Sequence, residues 1–104
     1  MKVYFTASTT HDGEYRAQYR RIVSIIRRYK HTLTSGVQIA QYALLTKDKT
    51  LSPEKIFRRE QIGIDSADCV VAEVSKPSSG VGGEIVYSLT KHKPVLALFY
   101  KETE

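Results

Sequence analysis

The residues best suited to chemistry lie in the run SKPSSGVGGEIVYSL that begins at Ser75. Ser78 offers a hydroxyl, Gly80, Gly82 and Gly83 let the backbone approach a ligand closely, and Glu84 follows them with a carboxylate. Backbone N–H groups at the start of a helix favour an anion. The run is not a P-loop, because no Gly-Lys-Ser/Thr follows, and Ile85 stands where a G-x-G-x-x-G signature needs its last glycine. Taken alone, the glycines read equally as a tight strand-to-helix connection. Glu84 shifts that balance. It is predicted in the first turn of a helix over 84–91, where the helix dipole favours the ionised form by about 0.3–1 kcal/mol. An ionised carboxylate facing a cleft can serve as a nucleophile or stabilise an oxocarbenium ion. The competing reading is an acidic residue that merely suits the dipole.

Other reactive side chains carry less. His11, His31 and His92 lie far apart without metal-ligand spacing, so neither a metal nor another cofactor is expected. Cys69 opens an apolar strand, where a free thiol behaves as a small hydrophobe. Glu73 interrupts that strand and must be paired or sit at its end, which suits a structural or supporting role better than catalysis. Asp65 and Asp68 are placed to cap the turn before the strand. A second polar stretch, Ser8 to Gly13, supplies hydroxyls beyond the first strand.

The elements that must position these groups alternate. Lys2–Ala7 (KVYFTA) is rich in strand formers. Tyr15, Tyr19, Ile22, Ile26 and Tyr29 recur at helical spacing, with Ile25 widening the stripe. His31–Thr34 is a weak strand, and 35–51 reads as either a short helix or a packed loop. Ser52-Pro53-Glu54 combines a capping residue, a first-turn proline and a first-turn acid, predicting a helix to about Ser66. Cys69–Val74 and Pro94–Tyr100 read as strands buried on both faces. Strands alternating with helices imply parallel pairing through right-handed crossovers. The expected architecture is a three-layer α/β sandwich, a flavodoxin- or Rossmann-like parallel sheet of about four strands, shortened at its C-terminus. Ligands of such sheets bind beyond the carboxyl ends of the strands, at the switch in strand order.

Composition sets the outer bounds. The 104 residues suit one domain spanning 1–104, and 41% hydrophobic with 26% charged residues is globular rather than disordered. A single cysteine excludes an internal disulfide framework. No apolar run is long enough to span a bilayer and no signal peptide is recognisable, so a cytoplasmic protein without membrane contact is expected. The net charge of +5 resides largely in Arg16 to Lys30. That segment fits the solvated face of one helix, and no nucleic-acid motif accompanies it. A small anionic ligand accounts for the charge equally well.

Assembled, these residues resemble the nucleoside 2-deoxyribosyltransferase superfamily, and within it the 2′-deoxynucleoside 5′-monophosphate N-glycosidases. The resemblance covers most of the chain. It rests on VYFTAS at 3–8, YRRIVSIIRRYKHTLT at 19–34 and, most specifically, ADCVVAEVSKPSSGVGGEIVYSL at 67–89. It implies that Glu84 attacks the anomeric carbon, displaces the base and forms a covalent deoxyribosyl-enzyme that water then hydrolyses. It also implies that Ser78 and Ser8 contact a 5′-phosphate, with Gly80 and Gly82 beside them and Tyr4 and Tyr19 near the active-site end. Members with unphosphorylated substrates carry an aspartate at the Ser78 position, so a monophosphate is the implied substrate. Glu60 stands where the family has an aspartate that assists catalysis.

Departures from the pattern keep rivals in play. Glu60 is one methylene longer than the family's aspartate, and Thr34-Ser35-Gly36 replaces the family's T-E-H. Ala7 and Thr9 replace a glycine and an isoleucine, and the family's further helix and strand have no counterpart before Glu104. The alternatives are a base-exchanging deoxyribosyltransferase, a catalytically degenerate nucleotide-binding protein and a basic-helix nucleic-acid binder. A homodimer is expected, because the short sheet has limited cover and the first helix carries several tyrosines.

Overall fold

Two hydrophobic periodicities, one of strands and one of helices, decide how this chain layers. The computed structural model describes residues 1–9, 15–35 and 52–101. In order, these form β1 (Lys2–Ala7), α1 (Arg16–Arg28), β2 (Thr32–Ser35), α2 (Pro53–Ser66), β3 (Cys69–Glu73), α3 (Ser79–Thr90) and β4 (Val95–Leu98). The helix or loop expected within 35–51 lies outside the described residues, apart from Ser35, as do His11, Gly36 and most of the loop after β1.

The sheet order is β2-β1-β3-β4, and every pair is parallel. The chain steps from β1 to β2 in one direction and then crosses to β3 on the other side of β1. With right-handed crossovers, that reversal puts α1 on one face and α2 and α3 on the other. Alternation along β1 supplies both cores. Val3, Phe5 and Ala7 pack with Val71 against Tyr19, Val23 and Ile26 of α1. Tyr4 and Val70 pack with Ile64 and Ala67 on the opposite face, flanked by Tyr87 and Val95. β3 is covered on both sides, as its apolar run requires. The reversal also creates a switch point between the carboxyl ends of β1 and β3.

Helix ends follow local chemistry. The Ser52 hydroxyl accepts the Lys55 N–H at 3.3 Å, starting α2 at Pro53 as its sequence predicts. Just past the ends of α1 and α3, Lys30 and His92 take positive φ. In each case the N–H of that residue and of the one after it close back on the last turn: Lys30 to Arg27 and His31 to Ile26, His92 to Leu89 and Lys93 to Ser88.

Four expectations need correction. α3 begins at Ser79, not Glu84, so Gly80, Gly82 and Gly83 are helical rather than loop. The Ser78 hydroxyl, accepting the Val81 N–H at 3.2 Å, starts the helix despite three poor helix formers. β4 is an edge strand and not buried on both faces: Leu96 is 58% exposed, as is 69% of Phe99 just beyond it, because α1 lies over the β1–β2 side of the sheet. The buried stripe of α1 runs through Val23, whereas Tyr29 and Ile25 are exposed. Asp65 and Asp68 do not cap their own turn. Asp65 accepts the Tyr87 hydroxyl of α3, and Asp68 accepts the Lys2 N–H of β1, both across elements.

Candidate active site

The strand alternation that buries Tyr4 also aims Thr6 at the face shared by α2 and α3. There the sheet meets two acidic side chains. Glu60, in the second turn of α2, is buried, and the Tyr4 hydroxyl donates to its Oε2. The Arg59 guanidinium donates to the other oxygen, Oε1, through Nε at 2.9 Å and through Nη2. One carboxylate thus accepts three donors, a pattern that favours the ionised form. Burial and then the Glu84 charge work the other way and push the Glu60 carboxyl up to about 7.

Glu84 reaches the same place from α3. It sits in the second turn of that helix, not the first as its sequence predicts, so the dipole stabilises it less. Its value is raised, mainly by burial, while a hydrogen bond from Thr6 and the Arg59 charge pull it down. Among the described residues, its Oε2 is buried without a hydrogen-bond partner. A buried acceptor left unmade costs about 1–3 kcal/mol, which a ligand or a proton would recover. The Ser88 hydroxyl donates to the Glu84 carbonyl at 2.6 Å, fixing the helix turn beneath it.

The carboxyl edge of the sheet carries the remaining candidates. Ser78 caps α3, and its hydroxyl proton is not used in accepting from Val81. Gly80 lies one turn before Glu84 on the same side of the helix. Among the described residues, a Cβ at Gly82 or Gly83 would meet nothing within 4 Å, so their packing does not demand glycine at either position. Ser8 is buried at the end of β1, and its carbonyl accepts the Tyr19 hydroxyl at 3.0 Å. Glu73 is buried and accepts both the N–H and the hydroxyl of Ser75, at 2.6 and 2.8 Å. Ser75 in turn accepts the Tyr100 N–H, tying the loop after β3 to the end of β4.

The structure therefore brings Tyr4, Glu60 and Glu84 together, with Ser78, Gly80 and Gly82 in the turns leading to Glu84. Ser8 and Tyr19 form a separate pair at the end of β1. Reasoning from sequence missed Thr6 and Arg59. Thr6 was findable, because it shares a strand face with Tyr4. Arg59 carried no signal beyond adjacency to Glu60. Cys69 is half-buried, its thiol raised by burial and by Asp68. Among the described residues no group of three or more His, Cys, Asp or Glu side chains could hold a metal, and no helix is long and apolar enough to cross a membrane.

Comparison with known proteins follows the same outline. The sequence profile described as Nucleoside 2-deoxyribosyltransferase matches residues 3–104. A 5-hydroxymethyl-dUMP N-hydrolase of Rattus norvegicus is 39% identical over 97 residues, covering 93% of this chain and 60% of that protein. The Homo sapiens 5-hydroxymethyl-dUMP N-hydrolase is 35% identical over 97 residues, covering 93% and 56%. The chain thus spans less than two thirds of these relatives. Among solved structures, a Clostridium botulinum CMP N-glycosidase superposes with a TM-score of 0.68 at 15% identity, over 97% of this chain and 75% of that one. A Leishmania mexicana 2-desoxiribosyltransferase superposes at 0.69 and 14% identity, over 96% and 65%. At such identities the likeness speaks for the fold.

Proposed function

Because this chain belongs to the nucleoside 2-deoxyribosyltransferase family, we propose that it hydrolyses the N-glycosidic bond of 2′-deoxynucleoside 5′-monophosphates, with Glu84 as the nucleophile. The observation that carries this reading is the buried Glu84 Oε2, left without a hydrogen-bond partner among the described residues, near Glu60, Thr6 and Arg59. The Glu84 carboxylate attacks C1′, and the C1′–N bond electrons leave with the base, which takes up a proton. Glu60 titrates near neutrality, so it can lend that proton and take one back. Water then adds at C1′ of the glutamyl ester. Its proton is taken up by Glu60, and Glu84 is released with 2-deoxyribose 5-phosphate. The two carboxyl groups divide the work as in retaining glycoside hydrolysis.

The phosphate binds at the start of α3. The Ser78 hydroxyl and the N–H groups of Ser79 and Gly80 suit it, and Gly80 and Gly82 leave room for the sugar. Ser8 completes the pocket, with Tyr19 bracing it. We further propose a cytoplasmic homodimer.

The test is release of free base from 5-hydroxymethyl-dUMP, the compound in the relatives' name, and from the four common deoxynucleoside monophosphates. E84Q is expected to lose about 10³-fold or more in kcat/KM. No release by the unmodified protein, or equal release by E84Q, overturns the reading. A new nucleotide formed on adding a second free base would establish base exchange instead.

A further inference from the structure

The residue that links the two carboxylates is one to which neither motif nor family resemblance assigned a role. Arg59 is half-buried, directly precedes Glu60 on α2, and directs Nε and Nη2 at one oxygen of its neighbour. The Tyr4 hydroxyl holds the other oxygen. Glu60 is thus gripped from both sides, by β1 and by its own helix. The same guanidinium charge also acts on Glu84, whose own hydrogen bond comes from Thr6.

We propose that Arg59 is a positioning residue for the reaction: its forked guanidinium holds the Glu60 carboxyl against Tyr4, and its positive charge favours the attacking form of Glu84. This rests on the reading of Glu84 as nucleophile. The groups facing the pair are Tyr4 and Thr6 from β1, Arg59 from α2, and each carboxyl for the other across α2 and α3. The Glu84 charge raises Glu60, and among the described residues Arg59 is the cation that acts on Glu84. Two roles separate by chemistry. The charge opposes the effect of burial on Glu84, and Lys supplies it as well as Arg. The forked grip sets the position of Glu60, and Lys cannot reproduce it.

R59Q removes the charge, so the acidic limb of kcat/KM moves to higher pH by about 1 pH unit, with the loss deepest in acid. R59K keeps the limb in place but lowers kcat by roughly 10-fold, with KM little changed, because Glu60 is less well placed. A 13C-NMR titration of the Glu84 carboxyl in substrate-free protein reads the charge effect without catalysis, and its midpoint should rise in R59Q and stay put in R59K. Coincident midpoints in wild type and R59Q, or an R59K variant with wild-type kcat, overturn the proposal. If the unmodified protein releases no base, the reading of function fails, and the carboxyl titration still decides whether Arg59 governs Glu84. Should R59Q not fold, R59K decides by its kcat and limb alone.

Discussion

At the scale of single residues, two acids with opposing influences dominate. Glu60 has three donors, yet burial and the Glu84 charge raise it from 4.5 to about 7. Folded protein therefore holds the Glu60 proton more tightly than the unfolded chain does. Between those two values the unfolded chain ionises first, so stability falls as pH rises through the window and levels above it. The full effect is on the order of 3 kcal/mol, and the raised Glu84 adds to it with the same sign. E60Q removes the Glu60 share. Thermal unfolding followed from about pH 5 to about pH 8 should show a wild-type Tm that falls by roughly 10 °C and an E60Q curve that is visibly flatter. Parallel curves would refute this assignment of the proton. Tyr4 and Glu60 were legible as candidate-site residues through their resemblance to a known pattern. Thr6 and Arg59 were not, because Thr6 acts across elements on Glu84 and the Arg59 contact with its neighbour depends on how the two side chains turn toward the sheet.

At the scale of elements, helix boundaries show where local chemistry suffices. α2 runs from Pro53 to Ser66 as its capping signal predicts, because Ser52, Pro53 and Glu54 satisfy the first turn without outside help. α3 defied the same kind of reading. Its glycines looked like loop, but the Ser78 cap and packing of Val81 and Ser88 fold them into helix. Its far end is strained, since His92 takes a left-handed conformation with φ 58° where glycine is the usual occupant. That costs about 1–2 kcal/mol for a residue with a Cβ. His92→Gly is expected to stabilise the protein by about 1 kcal/mol, read as a higher denaturant midpoint at unchanged slope. An unaltered or lower midpoint would count against the strain.

At the scale of the whole molecule, the four-stranded sheet is well covered in its middle and bare at one edge. Leu96 and Phe99 near that edge, Val86 and Leu89 on α3, and Ile25 and Tyr29 at the end of α1 are all exposed. Such apolar surface is what the proposed homodimer would draw on. Sedimentation equilibrium at micromolar concentration should return twice the 11.8 kDa chain mass, and a monomer would contradict it.

The division between sequence and fold has a physical basis. Alternating elements, the parallel class of the sheet, the limits of β1 and α2 and the candidacy of Glu84 follow from periodicity, caps and a contiguous motif, all of which act over a few residues. The meeting of Tyr4, Thr6, Arg59, Glu60 and Glu84 spans 80 positions of chain and depends on strand order and helix rotation. So does the exposure of β4, since an apolar strand carries the same letters at an edge as in the middle. Ionisation belongs to the fold as well. Burial and neighbours set the proton affinity of both acids, and neither exists until the layers close.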